Sequence, residues 1–251
     1  AVLRWICGES LGKGTCACVY LAMNAMSDEL IVIKQAELPC TTSDGYDLCL
    51  ESQGLVPMAD FRGGIEVGSE ILKDIDHPKI VQYLGYEETI DHLRIFLKYA
   101  LGGSIGCCLH KHGRFNEGVT KLFTSQILNG LEYLHDRGIV HRATDHVLVE
   151  MDGICKISSF DSCRTACFAT AWHGTLLTQN KRPPPIPGDA QLSPFADDFG
   201  TECFTMYVPP LVCYIFSTAC FRVASERPKA AELRKHEYLM LSLEWHFNGF
   251  T

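Results

Sequence analysis

Two glycines, Gly12 and Gly14, precede a run of apolar and β-branched residues that predicts a strand. Because glycine has no side chain, backbone N–H groups at such a turn can approach phosphate oxygens closely. Twenty residues after Gly14, Lys34 ends a second predicted strand, and its ammonium group can meet a phosphate as a point charge. Together the two features indicate a phosphate-binding site. The glycines alone would fit a simple hairpin turn.

Thirteen cysteines raise the question of a metal or disulfide site. Their spacing supports neither, because Cys16 and Cys18 flank a single residue, Cys107 and Cys108 are adjacent, and no Cys-x-x-Cys pair occurs. We therefore expect reduced thiols and no metal site. No long apolar run opens the chain at Ala1–Gly8, so the sequence predicts a cytoplasmic protein.

The chain has 251 residues, of which 47% are hydrophobic, and a net charge of −8. This length suits one large domain or two small lobes. An acidic chain has no field that would collect nucleic acid or anionic lipid, so neither is expected as a partner. The apolar stretch Leu211–Phe221 is shorter than the roughly 20 residues of a membrane helix, and no membrane association is expected.

The elements that position these residues change character along the chain. In the first hundred residues, strands are predicted at Val19–Ala22, Leu30–Lys34, Ile80–Tyr86 and Leu93–Tyr99. A long loop, residues 37–57, follows the second strand. A helix candidate lies between Met58 and Ile75, although each glycine inside it costs about 1 kcal/mol relative to alanine.

The second half of the chain begins with the clearest helical pattern of the sequence. Val119–Arg137 has apolar residues at three- and four-residue steps, with Asn116 as a candidate N-cap and Gly138 after the last turn. A hairpin is predicted from two short apolar runs, Val147–Val149 and Cys155–Ile157.

Several longer stretches of the sequence resemble a known protein family, which the composition alone does not reveal. They include ESLGKGTCACVYLAMN (9–24), IVIKQAELP (31–39), LKDIDHPKIVQYLGYEET (72–89), GRFNEGVTKLFTSQILNGLEYLHDRGIVHR (113–142), DGICKIS and ERPKAAELRKHEYL. On these motifs the chain resembles the eukaryotic protein kinases, specifically the MAP kinase kinase kinase group. The resemblance implies an α+β, bilobal kinase fold with ATP between the lobes. The implied fold has a β-rich N-lobe over 1–97, a hinge at 98–101 and a mainly helical, truncated C-lobe over 102–251.

The resemblance also implies a set of nucleotide-binding residues. These are Leu11, Gly12, Gly14, Val19, Lys34, Lys98, Tyr99, Ala100 and Leu148. The first four would cover the nucleotide, Lys34 would meet its phosphates, and residues 98–100 would lie beside adenine. Three further positions, Leu72, His141 and Phe160, match the apolar spine of the family.

Several catalytic positions depart from the family pattern, and phosphoryl transfer depends on the groups that they lack. Gly68 stands where the family has the helix glutamate that pairs with the lysine, and Ala143 stands where it has the catalytic aspartate. The catalytic loop is two residues short. Asp145 is therefore a weak candidate base, His146 takes the place of the magnesium-binding asparagine, and no catalytic residue is intact.

The metal-binding Asp-Phe-Gly motif is also altered. Ser159 replaces its aspartate, Asp161 takes the glycine position, and Ala17 replaces the third glycine of the phosphate loop. A hydroxyl and the imidazole of His146 are poor ligands for a hard cation such as Mg²⁺. We therefore expect weak ATP binding or none, and no magnesium site.

Two changes in length affect the second lobe. A deletion lies near 175–182, where the family continues into further helices, and the proline-rich connector Lys181–Pro187 follows it. An insertion near 205–219 fits nothing in the family pattern, and helical spacing returns at Lys229–Leu241. Both changes are compatible with a real loss of structure and with an artefact of the gene prediction.

Three functions remain open. The first is a pseudokinase, which would bind kinases or scaffolds of a MAP kinase cascade. The second is an active ATP-dependent serine/threonine kinase that uses Asp145 and Asp161 unconventionally. The third is a degenerate product without a stable fold.

Overall fold

The computed structural model describes residues 3–13, 17–38, 48–51, 54–57, 68–113, 115–141, 146–160, 164–165 and 230–249. The chain divides into two compact units. The first contains Ala1–Asp76 and Val81–Tyr99, and the second contains His77–Ile80 and Ala100–Thr251. The short loop His77–Ile80 therefore belongs to the second unit, although it interrupts the first along the chain.

The first unit contains seven of the described strands. They are β1 (Trp5–Lys13), β2 (Cys18–Asn24), β3 (Leu30–Glu37), β4 (Leu48–Glu51), β5 (Gly54–Pro57), β6 (Tyr83–Glu88) and β7 (His92–Lys98). Five of them form an antiparallel sheet in the order β1-β2-β3-β7-β6, and β4 pairs with β5. Helix α1 of this unit includes residues 68–73.

Alternation along β2, β3 and β7 places apolar side chains on both faces of the sheet. One face carries a cluster of four buried residues, Ala22, Ile31, Ile33 and Phe96, against which Leu3, Trp5 and Tyr20 pack. Arg94 stacks over the Trp5 ring, 5.4 Å from its centroid, and forms a 2.7 Å ion pair with Glu87. The beginning of the chain is therefore part of the core of this unit.

The predictions for the first unit need three corrections. β1 was not predicted, and β4 and β5 lie inside the stretch 37–57 that was expected as a loop. The predicted strand Ile80–Tyr86 begins only at Tyr83, because Ile80 forms a parallel bridge with Ile157 of the second unit's hairpin instead. Residues 58–67 of the helix candidate Met58–Ile75 lie outside the described residues, and residues 68–73 are helical as predicted.

The second unit contains the remaining elements. They are α2 (Ile105–His112), α3 (Glu117–Asp136), β8 (Ile139–Val140), β9 (Val147–Val149), β10 (Cys155–Ile157), β11 (Arg164–Thr165), α4 (Ala230–Leu233) and a 3₁₀ turn (Glu237–Leu239). β8 pairs with β11 and β9 with β10, both antiparallel. The buried face of α3 packs against β8, β10, α4 and the 3₁₀ turn.

The main predictions for this unit are confirmed. Asn116 Oδ1 accepts a 2.9 Å hydrogen bond from Val119 N and caps α3, and Gly138 has a φ of 67° beyond its last turn. The hairpin β9–β10 has the predicted bounds. Helix α2, which begins at the N-cap Ser104, was missed, and the predicted helix Lys229–Leu241 is a single α-turn followed by the 3₁₀ turn.

The connector Lys181–Pro187, the stretch Leu211–Phe221, the deletion near 175–182 and the insertion near 205–219 lie outside the described residues. Within the described part of the chain, no helix is long and apolar enough to cross a membrane. The thiols of Cys7, Cys18, Cys107, Cys108 and Cys155 are free.

Candidate functional site

Two of the predicted nucleotide-binding residues, Val19 and Lys34, lie directly opposite each other in the first unit. Gly12 of β1 pairs with Val19 of β2, Val19 pairs with Lys34 of β3, and Lys34 pairs with Ile95 of β7. Residues that pair across antiparallel strands share one face, with Cβ atoms about 5 Å apart. Val19, Lys34 and Ile95 therefore form one row on the sheet, and the glycine stands at its end.

The neighbouring row on the same face is apolar. It consists of Leu21, Val32 and Leu97, which pair with one another across β2, β3 and β7. An ammonium group beside an apolar strip offers what a nucleotide needs, namely a cation for phosphate and an apolar surface for a base.

The other nucleotide-binding candidates of the first unit lie around these rows. Leu11 and Gly12 are exposed near the end of β1, and Ala17 is half-buried just before β2. Lys98 is exposed at the end of β7, where its backbone N–H donates to Gln82 O at 2.9 Å, and Tyr99 follows it. Gly14 lies outside the described residues.

In the second unit, the backbone that follows Ala100 lies close to β9, the strand that contains Leu148. Ala100 is buried, whereas Leu148, in the middle of β9, is half-buried and forms a bridge with Ser104. A Cβ at Gly102 would lie 3.0 Å from the carbonyl carbon of Val149, and Val149 N donates to Gly103 O at 2.8 Å. The glycine therefore allows the segment after Ala100 to lie directly against β9.

Hydrogen bonds hold the chain just before Ser159, where the resemblance places the metal-binding motif. The buried His141 ring lies with Nε2 2.8 Å from Ser158 O, and a carbonyl can only accept, so this nitrogen carries the proton. Ser158 donates twice to the His146 carbonyl, from its backbone N at 2.9 Å and from Oγ at 2.7 Å. The chain on both sides of residues 142–145 is thus tied to Ser158.

Ser159, the next residue, has a left-handed backbone conformation with a φ of 65°. Phe160 packs edge-on against His141, with ring centroids 4.8 Å apart and an interplanar angle of 77°. Among non-glycine residues, asparagine and aspartate occupy this backbone region most readily. The backbone at position 159 therefore suits the aspartate of the family better than the serine that is present.

The other positions at which the resemblance implies a departure from the family are only partly described. Gly68 is buried within α1, and its neighbour Ser69 places Oγ 3.2 Å from the hydroxyl of Tyr83 in β6. The side chain of His146 is exposed. Ala143, Asp145 and Asp161 lie outside the described residues. No group of three or more His, Cys, Asp or Glu side chains in the described part of the chain could hold a metal ion.

The donors present do not fit a magnesium ion. Mg²⁺ requires several oxygen ligands in octahedral geometry, of which carboxylates are the protein's usual contribution. At the two described positions where the family has its metal ligands, the chain offers one hydroxyl, on Ser159, and one imidazole, on His146.

The side chain of Gln126 in α3 forms hydrogen bonds with the hairpin that contains Leu148. Its Oε1 accepts from Lys79 Nζ at 2.6 Å and from Cys155 N at 3.0 Å, and its Nε2 donates to Gly153 O at 2.9 Å. Burial lowers the pKa of Lys79 and raises that of the Cys155 thiol. One amide therefore joins the loop His77–Ile80, the helix and the hairpin.

Sequence reasoning did not single out Ser158 or Gln126 as positioning residues. For Gln126 a signal exists, because a polar side chain interrupts the apolar stripe of α3 at a core-facing step. For Ser158 no comparable signal exists, since its role depends on the His146 carbonyl rather than on a side chain.

Comparison with known proteins finds one matching family and relatives whose names agree with it. The family described as "Protein kinase domain" matches residues 5–208. The MAP kinase kinase kinase mkh1 of Schizosaccharomyces pombe is 42% identical over 162 residues, which are 64% of this chain and 14% of that protein.

Two further relatives have similar names and are also much longer than the match. The serine/threonine-protein kinase BCK1/SLK1/SSP31 of Saccharomyces cerevisiae is 41% identical over 64% of this chain and 10% of its own length. The mitogen-activated protein kinase kinase kinase 2 of Arabidopsis thaliana is 33% identical over 64% of this chain and 24% of its own length. The chain thus spans a minor part of these relatives. Since the family match covers more than half of the 251 residues, the chain belongs to the protein kinase domain family.

Proposed function

We propose that this chain is a pseudokinase of the MAP kinase kinase kinase type, with weak or no ATP binding and no efficient phosphoryl transfer. The observation that carries the proposal is Ser159, whose backbone has a conformation suited to aspartate while its side chain is a hydroxyl. A kinase uses the carboxylate at this position to hold Mg²⁺ against the phosphates.

The loss extends beyond one residue. By the family pattern, Gly68 removes the carboxylate partner of the conserved lysine and Ala143 removes the base. Phosphoryl transfer is catalysed almost entirely by positioning and charge neutralisation, and a single arginine finger is worth about 10³–10⁵ in rate. The loss of a base and a metal ligand together should cost at least as much.

Residual nucleotide binding forms part of the same proposal. Val19 and Lys34 share a row on the sheet, with the apolar row of Val32 beside it, so a cation and an apolar surface remain. Leu11, Gly12, Gly14, Lys98, Tyr99, Ala100 and Leu148 are the other proposed contacts. Without a metal, Lys34 alone would face the phosphate charge, which is why we expect weak binding.

The proposed role is to bind kinases or scaffolds of a MAP kinase cascade in the cytoplasm. The names of the relatives support the cascade, since they include MAP kinase kinase kinases. The proposed organisation has an N-lobe over 1–97, a hinge at 98–101, and a C-lobe truncated near 175–182 and expanded near 205–219. Transcript sequencing across the last two regions would separate a real rearrangement from an artefact.

The test is transfer of labelled phosphate from ATP to a generic protein substrate and to the chain itself. The expected result is no turnover above that of Lys34→Ala, measured with Mg²⁺ and with Mn²⁺. Calorimetric titration with ATP should give the same weak affinity, or none, with and without Mg²⁺. Turnover that disappears in Lys34→Ala would refute the proposal.

An active serine/threonine kinase is the second candidate. It is favoured by the retained lysine opposite Val19 and by relatives that are named as kinases. In that case Asp145 and Asp161 would supply the base and the metal ligand. Asp145→Asn and Asp161→Asn would then each abolish turnover, whereas a pseudokinase has no turnover to lose. Cooperative unfolding of the purified chain would exclude the third candidate, a product without a stable fold.

A further inference from the structure

The end of the described chain packs against α3 and the β9–β10 hairpin of the second unit. We name residues 242–249 the clasp segment. The rings of Trp245 and Phe247 are half-buried, whereas Glu244, His246 and Asn248 are exposed. Alternation of this kind is typical of an extended chain lying on a surface with every second side chain turned inward.

Each of these two rings packs directly against a glycine of the second unit. A Cβ at Gly118, in the first turn of α3, would lie 2.5 Å from Cε2 of Trp245. A Cβ at Gly153, in the hairpin turn, would lie 2.6 Å from Cδ1 of Phe247. Carbon atoms in contact are normally about 3.5–4 Å apart, so any side chain at either position would displace a ring.

A third ring lies next to these glycine positions. Phe123 of α3 has its ring centroid 6.0 Å from that of Phe247, within the range of favourable aromatic pairs. Beside Trp245, a cavity of about 300 Å³ is lined by Asn116, Val119, Glu244, His246, Asn248 and Gly249. We call the surface formed by Gly118, Phe123 and Gly153 the aromatic groove.

The clasp segment lies in this groove much as a bound peptide would. Its described backbone hydrogen bonds are local, since Trp245 N donates to Ser242 O and the preceding Met240 N donates to Glu237 O. The ring of Trp245 contacts α3 at Gly118, and the ring of Phe247 contacts the hairpin at Gly153 and α3 at Phe123. A segment held through alternate side chains can be replaced by another segment with the same spacing.

We propose that the aromatic groove is a binding site for extended peptides with two aromatic residues separated by one residue, and that the clasp segment occupies it in cis. The ligand class follows from the occupant, because the two glycines accept an indole and a phenyl ring at positions i and i+2. A partner protein with such a segment would bind by displacing the clasp. Because a short tether gives an effective concentration in the millimolar range, the clasp keeps the groove closed to weak ligands.

The test uses a fluorescent peptide of residues 240–251, MLSLEWHFNGFT, and the full-length chain. The Trp245→Ala/Phe247→Ala double variant has a vacant groove, and we expect it to bind the peptide about tenfold or more tightly than the wild type, in which the tethered clasp competes. A peptide with alanine at both aromatic positions should bind neither protein. Equal affinity for the two proteins, or no binding to the folded double variant, would overturn the proposal.

A second measurement does not depend on the folding of that variant. The wild-type chain is labelled with 5-fluorotryptophan, and the signal of Trp245 is assigned by its absence in Trp245→Phe. Addition of the unlabelled peptide should move this signal to the position of a solvent-exposed tryptophan. A signal that stays unchanged up to ~1 mM peptide, the scale of the tethered competitor, would mean that the clasp is a permanent part of the fold.

Discussion

At the scale of single residues, the backbone conformation of Ser159 is set by its neighbours and not by its own side chain. The preceding residue is held by the His141 ring and the His146 carbonyl, and the following Phe160 packs on the same ring. The left-handed conformation at position 159 is therefore imposed from both sides. A substitution there changes the side chain while the path of the chain stays the same.

This argument predicts opposite results for two substitutions at position 159. Ser159→Asp should leave the free energy of unfolding within about 0.5 kcal/mol of the wild type, since aspartate tolerates a positive φ. Ser159→Val should lower it by about 1–2 kcal/mol, because a β-branched side chain clashes in this region. Urea denaturation of both variants measures the difference.

A functional consequence can be measured on the same residue. Ser159→Asp combined with His146→Asn supplies two oxygen ligands, so ATP affinity should become Mg²⁺-dependent in calorimetry. Ser159→Asn with His146→Asn is the matched control, because it has the same shape without the carboxylate charge. A Mg²⁺ response in the control as large as that of the carboxylate variant would contradict this explanation.

The residues of the candidate site were predictable only where a motif identified them. Lys34 and Val19 could be placed on neighbouring strands from the spacing of the apolar runs, whereas their direct pairing became known only from the register. The left-handed φ of Ser159 could not be predicted, since nothing in a serine indicates a positive φ. The family resemblance singles out position 159, but it does not predict the backbone geometry there.

At the scale of elements, one amide connects three pieces of the second unit. Gln126 accepts from the Lys79 ammonium and from the buried Cys155 N–H, and it donates to Gly153. Burial already disfavours the charged form of Lys79, as the lowered pKa indicates. Loss of the acceptor would therefore leave a half-buried ammonium and a buried N–H without this partner.

Gln126→Ala should lower the free energy of unfolding by about 2–3 kcal/mol, since each orphaned buried group costs about 1–3 kcal/mol. Gln126→Glu is the control, because a carboxylate still accepts from Lys79 and Cys155, while its second oxygen replaces the donor to Gly153 and faces that carbonyl oxygen. The glutamate variant should therefore be clearly more stable than the alanine variant near neutral pH. Equal losses in the two variants would show that the acceptor has no such role.

Helix α3 gives a second prediction at this scale. In the interior of an exposed helix, alanine is favoured over glycine by up to about 1 kcal/mol. At position 118 we expect the opposite sign, because the new Cβ would collide with Trp245. Gly118→Ala should lower the thermal midpoint of the wild type and raise it in a Trp245→Ala background. A rise in both backgrounds would mean that Trp245 does not pack on α3 in solution.

The elements were predictable to different extents, for physical reasons. The stripe and caps of α3 predicted its bounds to within two residues, because local signals mark both of its ends. β1 was missed because its pattern is not apolar, and most of its residues are exposed in the structure. The strand over Ile80–Tyr86 was predicted too long, because a short apolar run does not reveal that Ile80 pairs with the hairpin.

At the scale of the whole chain, the apolar core of each unit is what stabilises the fold. Each unit has an apolar core, centred on Ile31, Ile33 and Phe96 in the first and on Phe123, Ile127 and Leu131 in the second. Burial contributes about 25 cal/mol per Å² of apolar surface, whereas a catalytic carboxylate contributes little to stability and often opposes it. The apolar cores, rather than the polar side chains of the candidate site, therefore dominate the stability of this fold.

Two histidines of the second unit should make the stability of the chain sensitive to acid. Burial lowers the pKa of His77, and the charges of Lys79, Arg137 and Arg234 lower it further. Lys79 N donates to His77 Nδ1 at 3.2 Å, which requires an unprotonated nitrogen. Burial also lowers the pKa of His135 near the end of α3, despite the opposing charge of Asp136.

The sign of the pH dependence follows from proton binding. A histidine in the unfolded chain titrates near 6.5, so between that pH and the lowered native pKa the unfolded state binds more protons. The free energy of unfolding should therefore have its full value above about pH 6.5 and should fall as the pH decreases to 5.5. Urea denaturation at pH 7.5, 6.5 and 5.5 measures this decrease, and the His77→Gln/His135→Gln variant should show a smaller one. An equal decrease in that variant would assign the acid sensitivity to other groups, because neutral glutamine cannot take up the proton.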